Sequence, residues 1–79
     1  MTDMTYVKLP ESNDPETMYV IGKWYKKVGD RVKKGDALVS YEQDKATVDI
    51  LSECEGVVTE LLVKEEDVVK PGTKICMIE

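Results

Sequence analysis

The sequence predicts an all-β domain, a small sandwich or barrel, on three observations. Turn-forming residues are dense: Pro10, Asn13-Asp14-Pro15, Gly29-Asp30, Lys34-Gly35-Asp36, Glu55-Gly56 and Pro71-Gly72 leave intervals mostly too short for helices. The intervals are rich in β-branched and aromatic residues, several in alternation. The chain also repeats itself at an offset of 37 positions.

The elements follow in order. Thr5 to Leu9 ends at Pro10, and Met18 to Tyr25 holds Tyr19, Val20, Ile21, Trp24 and Tyr25 between two turn regions. Ala37 to Glu42 places Val39 and Tyr41 on one face, and Ala46 to Leu51 places Ala46, Val48 and Ile50 on one face. Val57 to Val63 follows Gly56, and Lys74 to Ile78 follows Pro71-Gly72. In a β domain this small, Trp24 and the tyrosines Tyr6, Tyr19, Tyr25 and Tyr41 read as core or boundary packing. Cys76 shares strand parity with Ile78 and aligns with Val39 in the repeat, so it is expected to be buried and reduced. Cys54 receives no assignment.

The repeat pairs Val20 with Val57, Lys27 with Lys64, Asp30 with Asp67, Val32 with Val69, Lys33 with Lys70, Gly35 with Gly72 and Glu42 with Glu79. These seven identities fall within 23 aligned positions, and the matched turn residues coincide with predicted turns. Two similar halves related by an approximate two-fold axis are expected.

Composition bounds the function. Seventy-nine residues make one small domain, 1–79, that buries roughly 60% of the surface of its unfolded chain. An enclosed small-molecule pocket of about 300–1,000 Å³ would consume most of such a core, so a complete enzyme is not expected. The net charge of −5 and a pI near 4.7 oppose binding to nucleic acid or an anionic membrane. No apolar run reaches the length of a membrane span, and Met1-Thr2-Asp3-Met4 lacks the basic and apolar regions of a signal peptide, so a cytoplasmic or matrix-like compartment is expected. With no histidine, and with Cys54 and Cys76 22 positions apart, neither a metal site nor histidine-based catalysis is expected.

A two-fold that exchanges the halves maps the chain ends onto the junction between them. The junction is Glu42-Gln43-Asp44-Lys45-Ala46, so Lys45 is expected at a hairpin tip opposite the chain ends. Asp44 suits a turn, but no glycine supplies the positive φ that tight hairpins prefer. Composition does not single out one of ten lysines, yet an unhindered tip amine suits acylation, in which a deprotonated amine attacks an activated carboxylate. Residues 42–67 hold nine acids against Lys45 and Lys64, a local net of −7, and Glu42, Asp44, Asp49, Glu53 and Glu55 surround or follow the junction. Such charge suits steering toward basic partners as well as ordinary solvation of strand edges.

The segment Glu42-Gln43-Asp44-Lys45-Ala46-Thr47-Val48-Asp49-Ile50 resembles the lipoyl-lysine segment of lipoyl domains, whose pattern is Glu-Thr-Asp-Lys-Ala. Val28-Gly29-Asp30-Arg31-Val32-Lys33-Lys34-Gly35-Asp36 resembles the family's Val-Gly-Asp-x-Val turn, and Gly56-Val57-Val58 and Val69-Lys70-Pro71-Gly72 resemble its second half. The likeness covers nearly the whole chain. Departures are Gln43 for Thr or Ser, Leu51-Ser52-Glu53 for a Pro-Ser-Pro stretch, and Ser12-Asn13-Asp14 where glycines are usual. Biotin carriers share the fold, but their lysine sits in Met-Lys-Met, whereas Asp44 and Ala46 flank Lys45. An unmodified hybrid-motif module is the third reading.

The resemblance implies a flattened barrel of two four-stranded antiparallel sheets. It implies lipoate in amide linkage to Lys45, flanked by Glu42, Gln43, Asp44 and Ala46, with no catalytic residue of the domain's own. The lipoyl group would serve as a swinging arm in a 2-oxo acid dehydrogenase complex. Its implied partners are a lipoate ligase or lipoyl transferase, a thiamin-dependent 2-oxo acid dehydrogenase, the acyltransferase catalytic domain and dihydrolipoamide dehydrogenase. The implied location is the cytoplasm, or the mitochondrial matrix in a eukaryote. In the family the loop that Glu11–Glu16 occupies here lies near the lipoyl hairpin and helps the dehydrogenase recognise its domain.

Overall fold

The computed structural model describes residues 4–79, which form eight β-strands: β1 (Thr5–Lys8), β2 (Tyr19–Trp24), β3 (Arg31–Val32), β4 (Ala37–Gln43), β5 (Ala46–Leu51), β6 (Gly56–Leu61), β7 (Val68–Val69) and β8 (Lys74–Ile78). The strands make two antiparallel four-stranded sheets, ordered β1-β8-β6-β3 and β5-β4-β2-β7. Six strands stand where alternation and turn residues place them, within two residues at each end. The two additions, β3 and β7, are two-residue edge strands held by Arg31↔Val57 and Val32↔Gly56, and by Tyr19↔Val69 and Val20↔Val68. A run that short carries no periodicity to read.

The sheets are copies of one another. Adding 37 to β2, β3 and β4 lands on β6, β7 and the start of β8, and exchanging those pairs together with β1 and β5 turns one strand order into the other. The turn chemistry repeats as well. Asp30 Oδ2 accepts the Lys27 N–H at 2.8 Å, and Asp67 Oδ2 accepts the Lys64 N–H at 2.9 Å. Gly29 N–H donates to Val58 O, and Glu66 N–H donates to Ile21 O, both at 2.7 Å. The same backbone trace therefore occurs twice, and each half serves as an internal reference for the other.

Between the sheets lie Leu9, Tyr19, Ile21, Val32, Leu38, Val39, Tyr41, Val58, Val63, Ile75, Cys76 and Ile78. Burying one such aliphatic side chain is worth about 1.5–3 kcal/mol. The Tyr19 and Tyr41 rings meet at 4.8 Å between centroids, tilted by 59°. Burial, then the neighbouring Tyr19, raise the Tyr41 hydroxyl above its usual pKa. Trp24 packs at the edge of the core and donates its indole N–H to Val63 O at 3.1 Å. Two tyrosines depart from the packing expectation. Tyr6 lies exposed under the Lys74 ammonium, 4.3 Å from its ring centroid, and the exposed Tyr25 donates its hydroxyl to Asp49 Oδ1 at 3.2 Å. Tyr6 lies on an edge strand and Tyr25 just past the end of β2, so neither has a sheet to cover it.

Cys76 is fully buried and its thiol is free, as expected, although Ile75 of the opposite parity is buried as well. Burial, and secondarily the charge of Cys54, push its thiol up to about 11. None of the described residues forms a helix long and apolar enough to cross a membrane.

Candidate functional site

The β4–β5 hairpin carries the junction residues. Its ladder runs Tyr41↔Val48, Glu42↔Thr47 and Gln43↔Ala46, which leaves Asp44 and Lys45 alone at the turn. Both sit at positive φ, 49° and 69°. Two left-handed residues in a two-residue loop give the turn whose twist matches that of paired strands, a geometry usually supplied by Asn-Gly or Asp-Gly. The missing glycine therefore did not prevent the tight turn. Asp tolerates the left-handed region, but for lysine it costs roughly 1–2 kcal/mol. The strain sits on the residue whose side chain is singled out.

Glu42 is exposed on the outer face of the sheet, Gln43 is half-buried at the end of β4, and Asp44, Lys45 and Ala46 are exposed. The hairpin's other end is tied down: Gly35 N–H donates to Ser52 O and Ser52 N–H to Asp36 O, each at 2.8 Å. That turn follows β3, whose Arg31 lies in one cross-strand row with Val57 and Glu79, and Thr5 pairs with Ile78. Both described chain ends thus gather at the end of the molecule opposite Lys45.

The fold redistributes the acidic residues. Glu42 and Asp44 flank Lys45, but β5 leads away from the tip and delivers Glu53 and Glu55 to the far end, so they do not surround the lysine. Asp49 is engaged by Tyr25. The Glu11–Glu16 loop does approach: with Val20 opposite Glu42, the residues that follow the loop, Thr17 and Met18, come level with the hairpin tip. The loop is ordered without glycine. Asp14 N–H donates to Ser12 Oγ at 3.2 Å, Glu16 N–H to Asp14 Oδ1 at 2.9 Å and Thr17 N–H to Asp14 O at 3.1 Å. These side-chain turns take over the role that glycines play in the related pattern.

A cleft of about 730 Å³ opens elsewhere, between the edge strands β1 and β5, where Tyr6, Val7, Val48 and Ile50 contribute apolar wall. It lies outside the packed core, so the small core and a sizeable cleft coexist. Lys45 does not line it.

The chemistry available at the tip is that of a primary amine on a rigid turn, away from the core and flanked by carboxylates. Such a group has the chemistry of a nucleophile toward an activated carboxylate. The family model described as biotin-requiring enzyme, the biotin/lipoyl attachment family, matches residues 6–78. The succinyltransferase component of the 2-oxoglutarate dehydrogenase complex of Staphylococcus saprophyticus is 44% identical over 75 residues, covering 95% of this chain and 18% of that protein. The acetyltransferase component of the Cupriavidus necator pyruvate dehydrogenase complex is 41% identical over 73 residues, covering 92% of this chain and 13% of that protein. The chain thus spans less than a fifth of these relatives. The solution structure of the lipoyl domain of the Azotobacter vinelandii 2-oxoglutarate dehydrogenase complex superposes with a TM-score of 0.79 at 28% identity over 94% of each chain. Kluyveromyces lactis urea carboxylase shares the fold over all of this chain and 6% of its own, with a TM-score of 0.84 at 23% identity. This all-β chain, with its two symmetric four-stranded sheets, belongs to the biotin/lipoyl attachment family.

Proposed function

We propose that residues 1–79 act as a lipoyl carrier domain with lipoate in amide linkage to Lys45. The observation that carries the reading is the Glu42–Ala46 hairpin, which spends left-handed strain on a lysine and flanks it with Asp44 and Ala46. Three relatives at 41–44% identity, named as dihydrolipoyllysine-residue acyltransferase components of 2-oxoglutarate dehydrogenase, pyruvate dehydrogenase and acetoin-cleaving systems, support lipoate over biotin.

In this reading a lipoate ligase or lipoyl transferase joins the Lys45 amine to an activated lipoate carboxylate, forming the amide C–N bond as the activating group leaves. When bound, lipoate supplies a dithiolane that takes up an acyl group with two electrons and releases both. The chain's own residues hold the attachment nitrogen at a rigid tip, clear of the core, and keep it far from the chain ends so that a tether does not block access. Glu42 and Asp44 provide a negative collar that favours approach to basic active-site rims. The three sites to visit belong to the thiamin-dependent dehydrogenase, the acyltransferase catalytic domain and dihydrolipoamide dehydrogenase. Tethering raises their local concentration to the order of millimolar. The cytoplasm, or the matrix in a eukaryote, is the compartment proposed.

The test is reductive acylation of the lipoylated chain by the 2-oxoglutarate, pyruvate and acetoin dehydrogenases of the source organism. Acylation by one of them, abolished in Lys45→Arg, is expected. Acylation that survives Lys45→Arg refutes the assignment.

A further inference from the structure

The outer face of the β5-β4-β2-β7 sheet carries an apolar patch beside the hairpin. One cross-strand row runs Thr47, Glu42, Val20, Val68. Val20 lies between the buried Tyr19 and Ile21 and so points outward, as does Met18 two residues earlier, level with the turn. Met18, Val20 and Val68 are 42%, 39% and 60% exposed.

The second half of the chain tests whether this backbone needs such residues. At the 37-residue offset Met18 corresponds to Glu55, Val20 to Val57 and Val68 is the counterpart of Arg31. The equivalent row on the other sheet is Glu79, Val57, Arg31. Fold stability is therefore compatible with Glu55 and Arg31 at the positions of Met18 and Val68, while the position of Val20 is valine in both halves. Only the half that bears Lys45 is apolar at all three.

We propose that Met18, Val20 and Val68 form the docking face for the dehydrogenase that acylates the arm, an enzyme presenting an apolar spot within a basic rim. The inference rests on the carrier reading above. By register Glu42 neighbours Val20, and Asp44 and Lys70 come level with Met18 on either side, with Glu16 two residues before it; the three acids outweigh Lys70, and amide formation at Lys45 removes a further positive charge. Charge complementarity thus selects a basic partner. It disfavours a second copy of this chain, whose identical acids would meet face to face. The loading enzyme is the partner with reason to read this surface, because the dithiolane is the same on every carrier. Which acyl group enters is decided at loading, and only protein surface distinguishes one carrier from another there.

The double variant Met18→Glu with Val68→Arg writes in the side chains of the other half and leaves net charge unchanged, so steering is preserved while the apolar contact is lost. The lipoylated wild type and variant are compared in reductive acylation with whichever of the three dehydrogenases acts best on the wild type, alongside their thermal unfolding. The expected result is a KM raised tenfold or more with kcat nearly unchanged, complete lipoylation and an unaltered Tm. An unchanged KM in a fully lipoylated variant overturns the docking face and leaves the carrier reading standing. Failure of all three dehydrogenases to acylate the lipoylated wild type overturns both. Val20→Ser, which alters no charge, gives the same readout if the double variant unfolds early.

Discussion

Three single residues carry strain or buried chemistry that can be measured. Glu66 has φ 74°, whereas its counterpart Gly29 has φ 96° and donates the matching backbone hydrogen bond. The two halves thus solve one turn with and without glycine. Glu66→Gly is expected to stabilise the fold by about 0.5–1 kcal/mol, because relief of the left-handed cost exceeds glycine's extra unfolded-state entropy. Urea midpoints with an unchanged slope check this. Lys45 bears the same strain at φ 69°, so Lys45→Gly should also stabilise, by about the same amount, while removing the amine. Cys76 is the third case. Its thiol sits at about 11, raised from 9.0, so the folded state holds the proton more tightly than the unfolded chain does. Stability from this group is complete below pH 9 and is lost as pH rises from 9 toward 11. Cys76→Ala or Cys76→Val should flatten that part of the stability profile, and native thiol labelling should reach Cys54 well before Cys76.

Among the elements, the sharpest test is in β2, where a bulge between Ile21 and Trp24 wraps around Ser40. Ser40 Oγ accepts the Lys23 N–H at 2.8 Å, and a Cβ on Gly22 would run into that same Oγ. Gly22→Ala is expected to destabilise by about 1–3 kcal/mol, read as a lower Tm, and Gly22→Ala with Ser40→Ala should recover part of the loss. How much of this was legible in the sequence varies by element. The six longer strands announce themselves through β-branched runs bounded by turn residues. β3 and β7 do not, because two residues have no period and their pairing comes from long-range contacts with β6 and β2. The hairpin was legible through the alternating strands on either side, the symmetry and the resemblance rather than through its own turn residues, since Asp44-Lys45 lacks the glycine signature and its left-handed conformation is imposed by the strands it joins. Of the acids that surround or follow the junction in sequence, Glu53 and Glu55 only follow it, because β5 runs away from the tip. The docking face was invisible, for its three residues come from a loop end and two strands that only the fold brings together.

For the whole molecule, the proposed recognition requires Lys45, its flanking acids, the Glu11–Glu16 loop and the Met18–Val20–Val68 face to be gathered at one end of a body 39 Å long. A lipoylated peptide of residues 38–51 keeps the lysine but loses the loop and the rigid hairpin, and must order itself on binding. Its reductive acylation is expected to fall at least a hundredfold in kcat/KM relative to the folded domain. Neutralising Glu42 or Asp44 in the intact domain should act more gently, through association rate, with an effect that shrinks at high salt as screening removes steering. Equal rates for peptide and domain would mean that the fold adds nothing beyond holding a lysine.

The central claim, that this fold exists to present Lys45 for attachment of lipoate, is tested most directly by mass. The chain is incubated separately with a lipoate ligase and lipoate and with a biotin ligase and biotin, and intact mass is followed by peptide mapping. A single lipoyl increment on the peptide containing Lys45, absent in Lys45→Arg, is the predicted result. A biotinyl increment in place of the lipoyl one, or lipoyl on any other lysine, would contradict it.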